Sequence, residues 1–284
     1  MFKITRLGKT LATWGVVATM ALTGMQSAEA IIVTEWTFDN TDGWYMAAVT
    51  PGTVNGTVLN SLGDPTVLDW GTAFPDPSGP NSSLVLGSNN GIAGNHTGTV
   101  FTAYDGVIGA GAISSEITHN NNVITGDSLN QFVLLGTINL TAVLPIPPAP
   151  GDPFPPGGVT VPFSGFFFES TNSGCTFPST SVCDDIFVLT NPEALVLPFT
   201  FAGQQYEAFL HDFNDALGPL SAAACAAAGA PSGCFGWQTV EGGVNVLQME
   251  LNIRAVPEPG SLALLALGLV GVVVTLRRKS RRFV

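Results

Sequence analysis

Leu247-Gln248-Met249-Glu250-Leu251-Asn252-Ile253-Arg254 alternates apolar and polar side chains without a break. Successive side chains of an extended chain point to opposite faces, so Leu247, Met249, Leu251 and Ile253 share one face while Gln248, Glu250, Asn252 and Arg254 share the other. That pattern predicts a strand with one buried and one wet face. Upstream, residues 197–201 and 205–210 flank Ala202-Gly203-Gln204, which predicts a hairpin. Further strands are expected at 31–37, 100–103, 131–135, 138–143, 159–169, 185–190 and 236–240, where Val, Ile, Thr and Phe recur. With 33 Gly and 20 Pro the chain is interrupted too often for long helices. Many short strands at this spacing predict an all-β fold, an antiparallel β-sandwich or jelly roll.

Two segments break the pattern. Residues 144–158 carry seven prolines and read as a long loop between strands or as a linker, with the apolar strands on both sides favouring the loop. The alanine-rich residues 221–230 read as one short helical turn or a loop.

Beyond the alternating strand comes Val256-Pro257-Glu258-Pro259-Gly260, then residues 261–276 without a charge, then Arg277, Arg278, Lys279, Arg281 and Arg282. An apolar run closed by a basic cluster is a stop-transfer pattern that leaves the cluster in the cytoplasm. The run is a little shorter than the ~20 residues of a typical span, so a temporary anchor is as compatible as a permanent transmembrane helix. These three features in this order resemble the PEP-CTERM sorting tail of Gram-negative bacteria. The resemblance implies cutting near the Pro-Glu-Pro by an exosortase, a membrane-embedded cysteine protease, after transient anchoring in the inner membrane, and release to or attachment at the cell surface.

The opposite end carries Lys3, Arg6 and Lys9, an apolar stretch at 11–25 and Ala28-Glu29-Ala30, the order of a cleavable secretory signal peptide. A short membrane anchor is the alternative. The organisation expected is a signal at 1–30, an exported β-rich domain at 31–255 and a sorting tail at 256–284; length does not decide between one large unit and two small ones.

Setting both ends aside changes the charge balance. Nineteen of the 21 acidic side chains lie between Ile31 and Val256 against one basic residue, Arg254. A surface without cations cannot release counterions from phosphates, which excludes nucleic-acid partners. Salt bridges cannot hold such a domain together, whereas divalent cations could bridge its carboxylates.

Cys175 and Cys183, and Cys225 with Cys234, form two local pairs in a chain addressed to an oxidising compartment, and two short-loop disulfides are the simplest reading. A metal site is the alternative, though neither spacing is that of a Cys-x-x-Cys ligand pair.

Ile117-Thr118-His119-Asn120-Asn121 contains a Thr-His-Asn-Asn string, and with Trp36 and Trp44 before it and the tail behind it the chain resembles the THxN family of PEP-CTERM proteins. Thr118, His119 and Asn121 match that motif, with Asn120 at its free position. The resemblance classifies and localises the chain without supplying an activity. These side chains suit a locked turn between strands; the functional alternative joins His119 with Glu116 in a sugar or metal site. His211, Asp212, Asn214 and Asp215 read as a turn rather than a metal cluster, because the spacing and glycine of an EF-hand are missing. Asp39-Asn40-Thr41-Asp42-Gly43 could hold calcium weakly, but a turn after the first strand is preferred. No cofactor or resident metal is expected otherwise.

No nucleophile elbow, zinc-protease helix or phosphate loop occurs in the sequence. Carboxylate pairs for glycoside hydrolysis are uninformative among nineteen acids. Trp36 and Trp237 lie in strand patterns and read as core. Trp44 and Trp70 lie in turn-rich stretches and could stack on sugars if exposed. The sequence therefore predicts a non-enzymatic protein of the surface or of a biofilm matrix, associated with exopolysaccharide. A carbohydrate-binding module and, further off, a polysaccharide hydrolase are the alternatives.

Overall fold

The alternating segment lies within a thirteen-residue strand, Val244–Val256, in which Leu247, Met249, Leu251 and Ile253 are buried and Arg254 is exposed. It is the last of sixteen strands in a computed structural model that describes residues 32–50, 55–144 and 153–257. In chain order these are β1 (Glu35–Trp44), β2 (Asn55–Leu59), β3 (Pro65–Trp70), β4 (Thr72–Ala73), β5 (Ser82–Leu86), β6 (Asn95–Ala103), β7 (Ala112–Asn120) and β8 (Ile124–Thr125). They continue with β9 (Gln131–Leu144), β10 (Pro153–Phe168), β11 (Asp185–Leu189), β12 (Val196–Phe201), β13 (Gln204–Asp212), β14 (Gly218–Pro219), β15 (Phe235–Thr239) and β16 (Val244–Val256). The expected all-β class is observed.

One run of neighbours follows the order β14-β15-β11-β10-β9-β1-β6, and the other follows β12-β13-β16-β7-β5-β3-β2. All their pairings are antiparallel. A short parallel contact, Ile253 with Thr102 and Arg254 with Ala103, joins the runs into a 14-stranded sheet. β4 and β8 pair separately.

Buried side chains from both runs meet. Trp44, Phe167, Phe187 and Trp237 of the first run share a cluster with Leu68, Trp70, Leu84 and Leu247 of the second. Trp36, Phe38 and Leu140 likewise meet Tyr206, Leu251 and Ile253. Around Trp36 the rings of Phe199, Phe201 and Tyr206 stand edge-on at 5.2–5.6 Å, a favourable arrangement for aromatic quadrupoles. The Trp36 indole N–H donates to Thr102 Oγ1 at 3.0 Å, so its burial leaves no polar group orphaned. β11 is buried on both faces, with Phe187 in the first cluster and Ile186 and Val188 in a third with Phe177, Cys183 and Ala224.

Both disulfides are local, Cys175 to Cys183 and Cys225 to Cys234, eight and nine residues apart. They secure the segments that cover the outer face of β11. Each loop closure is worth about 2–3 kcal/mol on the chain-entropy model. The alanine-rich segment does form a helix, Ala222–Ala227, capped by Ser221 Oγ accepting from the Ala224 N–H at 3.1 Å.

Several sequence expectations are corrected in detail. The segments at 131–135 and 138–143 form one strand, β9, because Gly136 needs no break when it pairs with both Asp42 and Val161. The hairpin turn comprises Ala202 and Gly203 alone, both left-handed at φ 50° and 84°, with Phe201 paired to Gln204. The proline-rich stretch becomes strand by Pro153, and residues 145–152 lie outside the described part. Asp39 to Gly43 is not a turn after β1 but part of β1, paired throughout with β9 and as far as Thr41 with β6, with Asn40, Thr41 and Asp42 buried. Asp212 accepts from the Asn214 and Leu217 N–H groups, which makes its neighbourhood the expected turn. The leader at 1–30, the apolar span at 261–276 and the basic cluster all fall outside the described residues. Among those described, no helix is long and apolar enough to cross a membrane.

Candidate functional site

β10, β11 and β15 are successive neighbours, and antiparallel pairing brings the end of β10, the start of β11 and the end of β15 to one edge of the sheet. Phe168 pairs with Ile186, so Glu169 emerges beside Asp185; Asp185 pairs with Thr239, two residues before Glu241. Carboxylate oxygens of Glu169, Asp185 and Glu241 all lie within 4.8 Å of one another. The loop from β15 to β16 passes between the two runs of strands and carries Glu241 toward the end of β7, where the Asn121 N–H donates to Gly243 O at 2.9 Å.

The surroundings of the three acids are built from polar groups. Glu169 Oε2 accepts from the Trp70 indole N–H at 3.1 Å, and Asp185 Oδ1 accepts from the Ser170 N–H at 2.8 Å. Ser170 Oγ donates to Cys183 O at 2.7 Å, tying this edge to the first disulfide loop. Asn172, with its amide turned to donate, lies 3.1 and 3.2 Å from the Glu241 oxygens. Asp184 accepts from the Thr180 and Ser181 N–H groups at 2.8 and 3.0 Å. Burial acts to raise its pKa, but these bonds outweigh it and hold Asp184 below the ordinary carboxylate range.

The three clustered acids go the other way. Burial, then the charges of Glu169 and Glu241, push Asp185 up to about 9. Burial, with Glu241 adding and Trp70 opposing, pushes Glu169 up to about 7. Glu241 is raised by burial and by Asp184, against a hydrogen bond from Asn121. Glu169 Oε1, Asp185 Oδ2 and Asn121 Oδ1 are buried without a hydrogen-bond partner. The described domain has one basic side chain to offer, Arg254, and it pairs with Glu207.

The Thr-His-Asn-Asn string ends beside this cluster, but it is not a turn. Thr118, His119 and Asn120 are in β7, paired with β16 on one side and β5 on the other, because the central position of β7 supplies ladder partners to both edges. His119 is fully buried, stacks on Trp70 with ring centroids 5.7 Å apart, and meets the rings of Phe167 and Phe187 edge-on. Its Nδ1 hydrogen-bonds Thr239 Oγ1 at 2.9 Å. Burial pulls its pKa down to about 3, so it stays neutral. Glu116, three positions away, is bonded instead by Gln248 Nε2 at 2.7 Å, so the alternative that joined His119 with Glu116 is not formed. The motif supports the acids indirectly, through Trp70 and through Asn121.

Trp44 and Trp70 are 1% and 2% exposed, which removes them as stacking platforms for sugars. An apolar cavity of about 130 Å³ lies next to Trp44, Phe132, Phe187 and Met249, with Asp42 at its wall. Burial pushes Asp42 up to about 7, against the Asn40 amide, which donates to its Oδ1 at 3.0 Å.

Glu169, Asp185 and Glu241 were not singled out in the sequence, although each stands at or just beyond the edge of an expected strand. No curated protein matches the chain. Residues 255–279 match the family model of the PEP-CTERM protein-sorting motif, and the chain thereby carries the mark of an exported surface protein targeted by an exosortase.

Proposed function

We propose that the chain is a non-enzymatic protein of the cell surface or extracellular matrix, delivered by its sorting tail. The match at residues 255–279 is the observation that carries this reading. The route would begin with removal of the leader at 1–30, continue with anchoring through residues 261–276, and end with exosortase cleavage between Pro257 and Gly260. The features of the domain suit that destination: two local disulfides, a β-rich fold whose two runs of strands read as a sandwich, and an acidic surface that keeps copies apart. The THxN assignment of Thr118, His119 and Asn121 belongs to the same reading. Association with exopolysaccharide would be bridged by ions or hydroxyls rather than by tryptophan stacking.

Mass spectrometry of the surface fraction tests the route. A C-terminus ending near Gly260 in an exosortase-bearing strain, and an intact tail when the exosortase is deleted, are the expected results. A surface protein that keeps its Arg277 to Arg282 cluster in the bearing strain sinks the proposal.

A further inference from the structure

The geometry points to a binding site for a hard divalent cation, calcium foremost, held by Glu169, Asp185 and Glu241. Oxygens on opposite sides of a calcium ion lie roughly 4.8 Å apart, twice a bond of about 2.4 Å. The three carboxylate oxygens lie within 4.8 Å of one another, so one ion can reach all of them without strand movement. Three carboxylates supply up to about six oxygens, which with water suits calcium's six to eight. The set contains no sulfur or imidazole, which argues against zinc and copper.

A second observation points the same way. Asp185 is 0% exposed, and its Oδ2, like Glu169 Oε1, is buried with no hydrogen-bond partner. A buried oxygen left unpaired carries its full desolvation penalty. Protonation would relieve the repulsion among the acids, but an added proton supplies a donor to only some of these acceptors. A cation satisfies all of them together. Arg254, the domain's basic side chain, pairs with Glu207 on β13.

The ion would clasp the end of β10, the start of β11 and the loop between β15 and β16. It would fix the loop that passes between the two runs of strands at the edge where the Cys175–Cys183 loop is fastened. His119 thereby acquires a supporting role, since it braces Trp70 against Glu169.

The test uses the full chain purified in detergent and stripped with chelator, titrated calorimetrically with calcium chloride and followed by thermal melting. Terbium is a second probe, because Trp70 sits against the site and can sensitise its emission. One calcium per chain, a melting temperature that climbs with calcium, and terbium emission displaced by calcium are expected. Glu241→Gln, on the loop, and Asp185→Asn, which retains the acceptor for Ser170, should each weaken calcium roughly tenfold or more. A folded wild type with neither calcium heat, melting shift nor terbium emission at millimolar ion overturns the site. Unchanged calcium affinity in both variants does so equally, because it places the ion elsewhere.

Discussion

Replacing His119 by Phe offers the sharpest probe of what the buried motif residue does. The ring stacked on Trp70 and edged by Phe167 and Phe187 would be retained in outline, while the hydrogen bond to Thr239 Oγ1 would be lost. Leaving that buried hydroxyl without its partner costs about 1–3 kcal/mol, and His119→Ala, which also opens a cavity, should cost about 3–5 kcal/mol. The distinguishing effect lies in pH. A histidine with a folded pKa of about 3 and an unfolded value of 6.5 is protonated only in the unfolded chain between those limits. Its contribution to stability is therefore intact above pH 6.5 and is lost as pH falls through that window, by up to about 1.4 kcal/mol per unit. Between pH 7.5 and 5 the wild type should lose about 2 kcal/mol from this residue alone. Glu169, Asp185, Glu241 and Asp42, all raised, push in the opposite direction over the same range, so the wild-type profile by itself is not diagnostic. Urea unfolding of wild type and His119→Phe in chelator at both pH values isolates the residue, since the acids are common to both. The wild type should fall by about 2 kcal/mol relative to the variant on acidification. Parallel profiles would refute the buried, neutral histidine.

Two further outcomes follow from the same reasoning. Asp42, raised to about 7 by burial, binds its proton more tightly in the folded chain, so its stabilising contribution is complete below about pH 4 and is lost as pH rises toward 7; Asp42→Asn should flatten that loss in urea unfolding. Replacing Cys225 and Cys234 together by Ser should lower stability by about 2–3 kcal/mol in denaturant melts, and added reductant should lower that variant's stability further by opening Cys175–Cys183.

The strands were legible wherever one face is buried and the other wet, as from Leu247 to Arg254, because alternation is a direct record of the pleat. β7 was not. Ser114 and His119 are buried polar residues on it whose hydrogen-bond partners, Met249 O on β16 and Thr239 Oγ1 on β15, lie more than a hundred residues away, and the rings around His119 come from β3, β10 and β11. Trp44 and Trp70 misled for the related reason that glycine-rich neighbours mark turns in sequence but close strand contacts in the sheet: a Cβ on Gly71 would fall 2.3 Å from Ile124. The acidic cluster was half legible. Expected strand edges fell at Glu169 and Asp185 and one residue before Glu241, but only the neighbour order β10-β11-β15 makes those edges adjacent. Nothing local to a strand encodes that order.

Diffraction from crystals of the protein grown with terbium, measured at the ion's absorption edge, tests the cation centre most directly. The account predicts a single strong anomalous peak within about 2.6 Å of oxygens from Glu169, Asp185 and Glu241. A cluster without that peak, its carboxyl groups hydrogen-bonded to one another as acids, would contradict the account.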